Sequence, residues 1–336
     1  MNILVVRLGA LGDVVHTIPA VAALRRTFPD AQIDWLVEAK HRSIPDLVSV
    51  LDEVIPLEGA SPNAWRMAIV AMRQTSYDVA IDFQGLLKSA VLARASGASR
   101  VIGFSIWHLR EKTARPFYSA TPSQDDGEEG HVIRKNLRLL RVLGIERDVI
   151  EFPLRGRGSR VAEILRHLVP GPFALINAGG AWPNKRWPPE RFGEVAAFLA
   201  EARGLTPVVM WGPGEDALAQ AVIDASSGRA VLAPPSRPED LVAMAREASL
   251  VISGDTGPLH IATAVGTPTV SIFGPTDPAR NGPWNGDDLV VSRFEQCGCH
   301  YDRRCHRRNW CLLDVQASEV CAAIQQRLAI DDGGRG

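Results

Sequence analysis

The sequence predicts an α/β protein made of two Rossmann-like, doubly wound domains facing each other across a cleft. Three observations carry this. Short apolar runs alternate with amphipathic stretches along most of the chain, and a polar, glycine-bearing stretch interrupts the alternation near its middle. The 336 residues are also about twice the ~150 usual for one domain. Alternation of this kind yields a parallel sheet covered by helices, and such sheets take ligands beyond the carboxyl ends of their strands.

The elements follow in order. Residues Asn2 to Val6 read as a strand, Asp13 to Arg26 as a helix, Ile33 to Val37 as a strand and Ala64 to Gln74 as a helix. Val79 to Asp82 then reads as a strand, Leu86 to Ala95 as a helix and Gln124 to Gly130 as a short acidic loop. The stretch from Arg155 to Ser159, RGRGS, reads as a linker and sets the expected domains at 1–158 and 159–336. In the second half the expected strands are Phe173 to Asn177, Pro207 to Trp211, Ala230 to Leu232, Leu250 to Ser253 and Thr269 to Phe273. The expected helices are Glu190 to Ala202, Asp216 to Ala225, Pro238 to Glu247, Pro258 to Val265 and a tail helix near Ala317 to Leu328.

Composition excludes several classes of function. With 46% hydrophobic and 22% charged residues the chain is of ordinary globular type, and no apolar run approaches the ~20 residues that cross a bilayer. Met1 to Arg7 lacks the layout of a secretory signal, so a cytoplasmic protein is expected. A net charge of -1 argues against nucleic acid as a partner. Four of the five cysteines, Cys297, Cys299, Cys305 and Cys311, fall in one C-x-C-x5-C-x5-C segment interleaved with His300 and His306. The segment reads either as a zinc site, although it lacks the paired C-x2-C knuckles of the strongest zinc signatures, or as a reduced, partly buried surface loop, the favoured reading, so no metal ligand is assigned.

Four motifs sit where ligands of such sheets bind. SGDTGPLH, from Ser253 to His260, follows a buried strand, and Pro258 suits the first turn of the next helix, with Thr256 or Gly257 at its cap. The helix start offers free N–H groups and a positive dipole end, and Gly257 lets an anion approach the backbone, which makes Asp255-Thr256-Gly257 a seat for a diphosphate. A simple helix cap, with His260 a satisfied core imidazole, fits the same residues. RLGALGD, from Arg7 to Asp13, is a strand-to-helix turn without the G-x-G-x-x-G fingerprint, which disfavours a NAD enzyme. Its Asp13 carboxylate is either an N-cap or a general base that takes a proton from an attacking hydroxyl. Lys185, one of only five lysines among 37 basic residues, lies between Trp182-Pro183 and Trp187-Pro188. It is either a phosphate counter-charge or a solvated loop lysine. Glu215, after Trp211-Gly212-Pro213-Gly214, either accepts sugar hydroxyls or sits at a helix start.

Taken together, six segments resemble the bacterial lipopolysaccharide heptosyltransferases of glycosyltransferase family 9, and within that family its heptosyltransferase I branch. They are RLGALGDVVHTIP (7–19), DWLVE (34–38), IDFQGLLKS (81–89), KRWP (185–188), SGDTGPLH (253–260) and FGPTDP (273–278). The resemblance implies a GT-B fold, with an N-terminal acceptor domain and a C-terminal donor domain. It implies inverting transfer of L-glycero-D-manno-heptose from ADP-heptose to the 3-deoxy-D-manno-octulosonic acid (Kdo) of the lipopolysaccharide inner core, presented as Kdo2-lipid A, with no cofactor. By the same resemblance Asp13 is the general base, Lys185, Glu215, Asp255, Thr256, Gly257 and His260 hold the donor, and Arg110 binds the acceptor.

Arg303, Arg304, Arg307 and Arg308 provide a weak peripheral contact with anionic head groups, or else a solvated basic loop. Three alternatives stay open: heptosyltransferase II or another core transferase, a hydrolysing sugar-nucleotide epimerase on the same architecture, and a catalytically silent nucleotide-sugar binder.

Overall fold

A computed structural model describes residues 1–123, 130–146, 149–156 and 158–333. Gln124 to Glu129 of the expected acidic loop and Arg157 of the expected linker lie outside the described residues. The chain divides into two compact units, Met1–Gly156 and Arg157–Gly336.

The N-terminal unit contains β1 (Asn2–Val6), α1 (Leu11–Val15), α2 (Ile18–Thr27), β2 (Gln32–Glu38), β3 (Glu53–Leu57) and α3 (Pro62–Met72), followed by β4 (Val79–Asp82), α4 (Leu87–Ala95), β5 (Arg100–Ile102) and α5 (Val132–Leu139). Its sheet has the order β3-β2-β1-β4-β5 and is parallel throughout. The chain winds outward from β1 to β3 and then returns to the other side of β1. This puts a topological switch point between β1 and β4, where open α/β sheets bind ligands. Ile3, Leu4, Val5 and Val6 of β1 and all four residues of β4 are buried, as expected for strands covered on both faces.

The helix expected over Asp13 to Arg26 is two helices. Pro19 has no N–H for the Val15 carbonyl and its ring crowds that carbonyl, so the ladder stops at His16-Thr17. Two polar groups take over the freed carbonyls. Thr17 Oγ1 donates to Asp13 O at 2.8 Å, and buried Asn136 of α5 donates through Nδ2 to His16 O at 3.0 Å. The break leaves Asp13 on a five-residue helix of its own.

The C-terminal unit contains α6 (Arg160–Leu168), β6 (Phe173–Asn177), α7 (Pro189–Arg203), β7 (Thr206–Met210), α8 (Asp216–Ala225), β8 (Val231–Leu232) and α9 (Pro238–Glu247). It continues with β9 (Leu250–Gly254), α10 (Gly257–Ala264), β10 (Thr269–Phe273), α11 (Pro278–Asn281), β11 (Leu289–Ser292) and α12 (Ala317–Gly333). Its parallel sheet runs β11-β10-β9-β6-β7-β8, the Rossmann order, with the switch point between β6 and β9. The tail helix α12 docks on this sheet through Val320 and Ile324, and through an Arg327 Nε to Asp288 Oδ1 contact at 3.1 Å. Both residues of that ion pair are almost wholly buried, and Asp288 Oδ1 also accepts Thr269 N at 2.7 Å.

Helices α7 and α8 meet at Gly193, where a Cβ would collide with Cβ and backbone atoms of Ala225. Gly193→Ala would gain about 1 kcal/mol of helix propensity but meets an obstacle that cannot rotate away, and overpacking of this kind costs ~1–3 kcal/mol. A net loss in the free energy of urea unfolding is expected, and a Gly193→Ala protein as stable as the parent would refute this packing.

Candidate active site

In the N-terminal unit the loop leaving β1 crosses the switch point, held at its base by Arg7. The guanidinium is buried. Its Nη2 pairs with Asp13 Oδ2 at 2.7 Å, and its Nη1 donates to the carbonyl of Phe83, just past β4. The backbone on either side is tied as well: Trp35 Nε1 donates to Arg7 O at 3.1 Å, and Leu8 N donates to Gln84 Oε1 at 2.8 Å. Ala10, not Asp13, is the N-cap of α1, and it makes no side-chain cap bond. Asp13 is the third helical residue. Its carboxylate is fixed by Arg7 on one oxygen while 30% of the side chain stays exposed, the condition a proton acceptor needs.

Around this loop lies a charged collar that sequence reasoning passed over. A Cβ on Gly9 would come within 2.9 Å of His41 Cδ2, so the turn needs glycine to pass the imidazole. Burial pushes the His41 pKa below its ordinary value, and Lys40 adds to the shift. Glu38 Oε1 meets Lys88 Nζ at 2.6 Å and Oε2 meets Lys40 Nζ at 2.9 Å. Burial would raise this carboxyl, but the two ammonium groups hold it below the usual range.

Beneath the collar, Asp82 is completely buried, and desolvation raises its pKa. It accepts from Gln84 N (2.8 Å), Gly85 N (3.3 Å), Ser89 Oγ (2.8 Å) and Tyr118 Oη (2.6 Å) and so shapes the turn after β4. Arg110 is exposed near that turn and has no hydrogen-bond or ion-pair partner among the described residues. Its neighbour Glu111 pins the segment, donating N–H to Gly85 O at 3.2 Å and accepting Leu87 N at 2.7 Å.

In the C-terminal unit three of the expected residues converge. Asp255, just beyond β9 and 7% exposed, is the hub. Its Oδ2 receives Lys185 Nζ at 2.6 Å and Thr276 Oγ1 at 2.7 Å, and its Oδ1 lies 3.2 Å from His260 Nε2. Burial would raise this carboxyl, but the His260 hydrogen bond and the Lys185 charge outweigh it and hold the pKa well below the ordinary carboxylate range. His260 is thus a buried imidazole paired across one helical turn. Lys185 ends a short 3₁₀ turn (Pro183–Lys185), with its ammonium 4.5 Å from the centroid of the Trp182 ring. The second tryptophan points the other way. Trp187 is buried, stacks edge-on with Phe192 at 4.8 Å, and donates to Val315 O at 3.1 Å, which fixes the loop.

Thr256 is the N-cap of α10, but its hydroxyl makes no cap bond; it accepts from Asn177 Nδ2 at 2.9 Å and lies 3.0 Å from Ser253 Oγ. Helix geometry leaves the Gly257 and Leu259 amides of the first turn without intrahelical partners, and Pro258 contributes none. Glu215 is a loop clamp: Oε1 accepts Gly180 N at 2.9 Å and Oε2 accepts Gly212 N at 3.0 Å, joining the turns after β6 and β7. A Cβ on Gly179 would collide with that carboxylate.

Arg7, Asn177 and Thr276 stand inside the motifs and strands read from the sequence, where no role attached to them. Arg7 and Thr276 each hold one of the two carboxylates, and the signal for them was only their place in the loops that follow β1 and β10. All five cysteines are free thiols, and among the described residues no group of three or more His, Cys, Asp or Glu is arranged to hold a metal.

A fixed ammonium beside an open helix N-terminus suits an anionic leaving group in the one unit, and a fixed, partly exposed carboxylate suits proton removal in the other. Residues 65–311 match the profile of glycosyltransferase family 9 (heptosyltransferase). The chain is 30% identical over 319 residues to lipopolysaccharide heptosyltransferase 1 of Pseudomonas aeruginosa, spanning 91% of this chain and 87% of that protein. It is 28% identical over 336 residues to lipopolysaccharide heptosyltransferase 3 of Escherichia coli, spanning 94% and 96%. The solved structure of the E. coli heptosyltransferase WaaC with ADP has the same fold, with a TM-score of 0.77 and 24% identity over 97% of this chain and 100% of that one.

Because the folded state lowers the Asp255 pKa, its ionisation stabilises the protein above the unfolded-state value of about 3.9. That stabilisation is lost as pH falls through the lower folded-state value. Urea midpoints measured from pH ~5 downward should drop more steeply for the parent than for Asp255→Asn. Parallel pH curves would show that the Asp255 carboxylate is not held as described.

Proposed function

Since the chain belongs to glycosyltransferase family 9, the heptosyltransferases, we propose that it carries out the heptosyltransferase I reaction. L-glycero-D-manno-heptose passes from ADP-heptose to the Kdo of Kdo2-lipid A, with inversion at the anomeric carbon. The observation that carries this is the Lys185–Asp255–His260 assembly beside the N-terminus of α10 at a Rossmann switch point. A nucleotide diphosphate needs such a place: a charge that is already fixed, next to amides without partners.

In this reading the C-terminal domain, 159–336, holds the donor. Lys185 and the amides of Gly257 and Leu259 face the diphosphate, Asp255 and His260 keep Lys185 oriented, Thr256 sets the helix start, and Glu215 shapes the neighbouring loop. The N-terminal domain, 1–158, holds the acceptor, with Arg110 meeting its acidic groups. Asp13 Oδ1 takes the proton of the attacking Kdo hydroxyl while Arg7 holds Oδ2. The C–O bond to ADP breaks as the new one forms on the opposite face, and Lys185 stabilises the charge gathering on the leaving diphosphate. The scheme needs no cofactor. A lipid-linked, acidic acceptor places the enzyme at the cytoplasmic face of a membrane, where the exposed arginines Arg303, Arg304, Arg307 and Arg308 supply a weak electrostatic contact. No described helix is long and apolar enough to cross that membrane.

A second reading, a later core heptosyltransferase, is favoured by the comparable identity to heptosyltransferase 3. One assay separates the two: ADP release and acceptor mass are followed with ADP-heptose and either Kdo2-lipid A or a core that already carries heptose. Heptose should appear on Kdo2-lipid A. Asp13→Ala should lower kcat about 100- to 10,000-fold with the Kd for ADP unchanged. Lys185→Ala should lower kcat ~100- to 1000-fold and weaken ADP as well. Transfer only to the heptosylated core would move the assignment to the second reading, and ADP binding without any transfer would leave a silent binder.

A further inference from the structure

The thiols of the cysteine-rich segment are used by none of these roles, yet the segment lies against the donor clamp. Between β11 and α12 the chain folds four thiols into two pairs: Cys299 Sγ is 3.0 Å from Cys305 Sγ, and Cys297 hydrogen-bonds Cys311. The surroundings of the two pairs differ. Cys299 accepts a hydrogen bond from Cys305 and further ones from the backbone N–H groups of His306 and Arg307, which lower its pKa and favour the thiolate. The Arg307 guanidinium adds a cation close by, packed where a Cβ on Gly298 would collide with it. Burial raises Cys305 as well, and pushes Cys311 up to about 12 and Cys321 up to about 11, so among these four thiols Cys299 is the favoured thiolate.

The seven residues from Cys299 to Cys305 are also the ones that reach the clamp. Tyr301 N donates to Pro275 O at 2.8 Å, and Asp302 O accepts Asn184 Nδ2 at 2.9 Å. Pro275 precedes Thr276 and Asn184 precedes Lys185, the two residues that hold Asp255 Oδ2. The loop between these cysteines therefore touches both arms of the assembly.

We propose that Cys299 and Cys305 form a reversible dithiol–disulfide site whose closure shifts the donor clamp at Asp255. The coupling rests on the reading of that clamp as the donor site. With a low-molecular-weight disulfide such as oxidised glutathione as oxidant, the Cys299 thiolate attacks one of its sulfurs and expels a glutathione thiolate. The Cys305 thiolate then attacks Cys299 Sγ in the mixed disulfide and expels the second. The two cysteines lose two electrons and two protons, and two reduced glutathiones carry both away.

The full-length protein is titrated with oxidised glutathione, quenched with an alkylating reagent, and mapped by peptide mass. Two of the five thiols should become protected in a single Cys299–Cys305 cross-link that dithiothreitol reverses. Cys305→Ser should abolish the link and Cys321→Ser should leave it intact. ADP affinity, measured by calorimetry on reduced and oxidised protein, should fall about fivefold on oxidation, the scale of one hydrogen bond lost or displaced. Five thiols that stay alkylatable, a link between other cysteines, or thiols shielded by bound metal in the purified protein would each overturn the site. A correct link with unchanged ADP affinity would overturn the coupling. If the reduced protein does not bind ADP at all, the donor reading fails while the thiol map still decides the cysteine pair.

Discussion

A carboxylate sealed from water at the end of a strand is tolerable only if it is neutralised or fully bonded, and Asp255 meets that requirement through three side chains from three different segments. Lys185 comes from the loop after β6, His260 from the first turns of α10 and Thr276 from the loop after β10. The need to satisfy one buried charge therefore draws together three segments of the C-terminal unit, the ones to which the proposed function assigns the donor. The same bonds keep the lysine in place, so its charge is positioned before a ligand arrives.

The N-terminal unit solves a related problem with the roles reversed. Here the buried partner is the cation, Arg7, and the carboxylate is left partly open. This inversion of burial suits the two tasks that the proposed function assigns. A group that stabilises developing charge benefits from rigidity and low dielectric, whereas a proton acceptor must be reached by the hydroxyl it serves. Both arrangements stand beyond the carboxyl ends of strands at a point where the strand order reverses, because only there do adjacent crossovers run to opposite sides and leave backbone amides and side chains uncovered.

Much of this was legible in the sequence, for identifiable reasons. Strands such as Phe173–Asn177 and Thr269–Phe273 are unbroken apolar runs, and helices such as Asp216–Ala225 and Pro238–Glu247 carry clear start signals, so both kinds read directly. The edge strand β8 was read as well, but the edge strands β3 and β5 were not. β3 contains Pro56, which argues against a strand although an edge position accepts it, and β5 is three residues long. The helix after β1 was read through Pro19 because its apolar pattern continues while its hydrogen bonds do not. In the sites, charged residues at strand ends were legible as candidates, but pairings were not. That Asp13 meets Arg7 and Asp255 meets Thr276 depends on loops closing in space, and one-dimensional spacing carries no record of it.

Arg7 ties chemistry to architecture in another way. One nitrogen of its guanidinium grips the carboxylate of α1 and another grips the carbonyl at the end of β4, while its own backbone carbonyl is held by the indole of β2. The planar fork thus acts as a gauge across three strands, and Asp13 inherits its coordinates from their mutual register. A lysine would keep the charge but, as a single point donor, could not span both acceptors with fixed geometry. The spacing between β1 and β4 is therefore the dimension to which the Asp13 carboxylate is most sensitive, because a change there moves the fork that holds it.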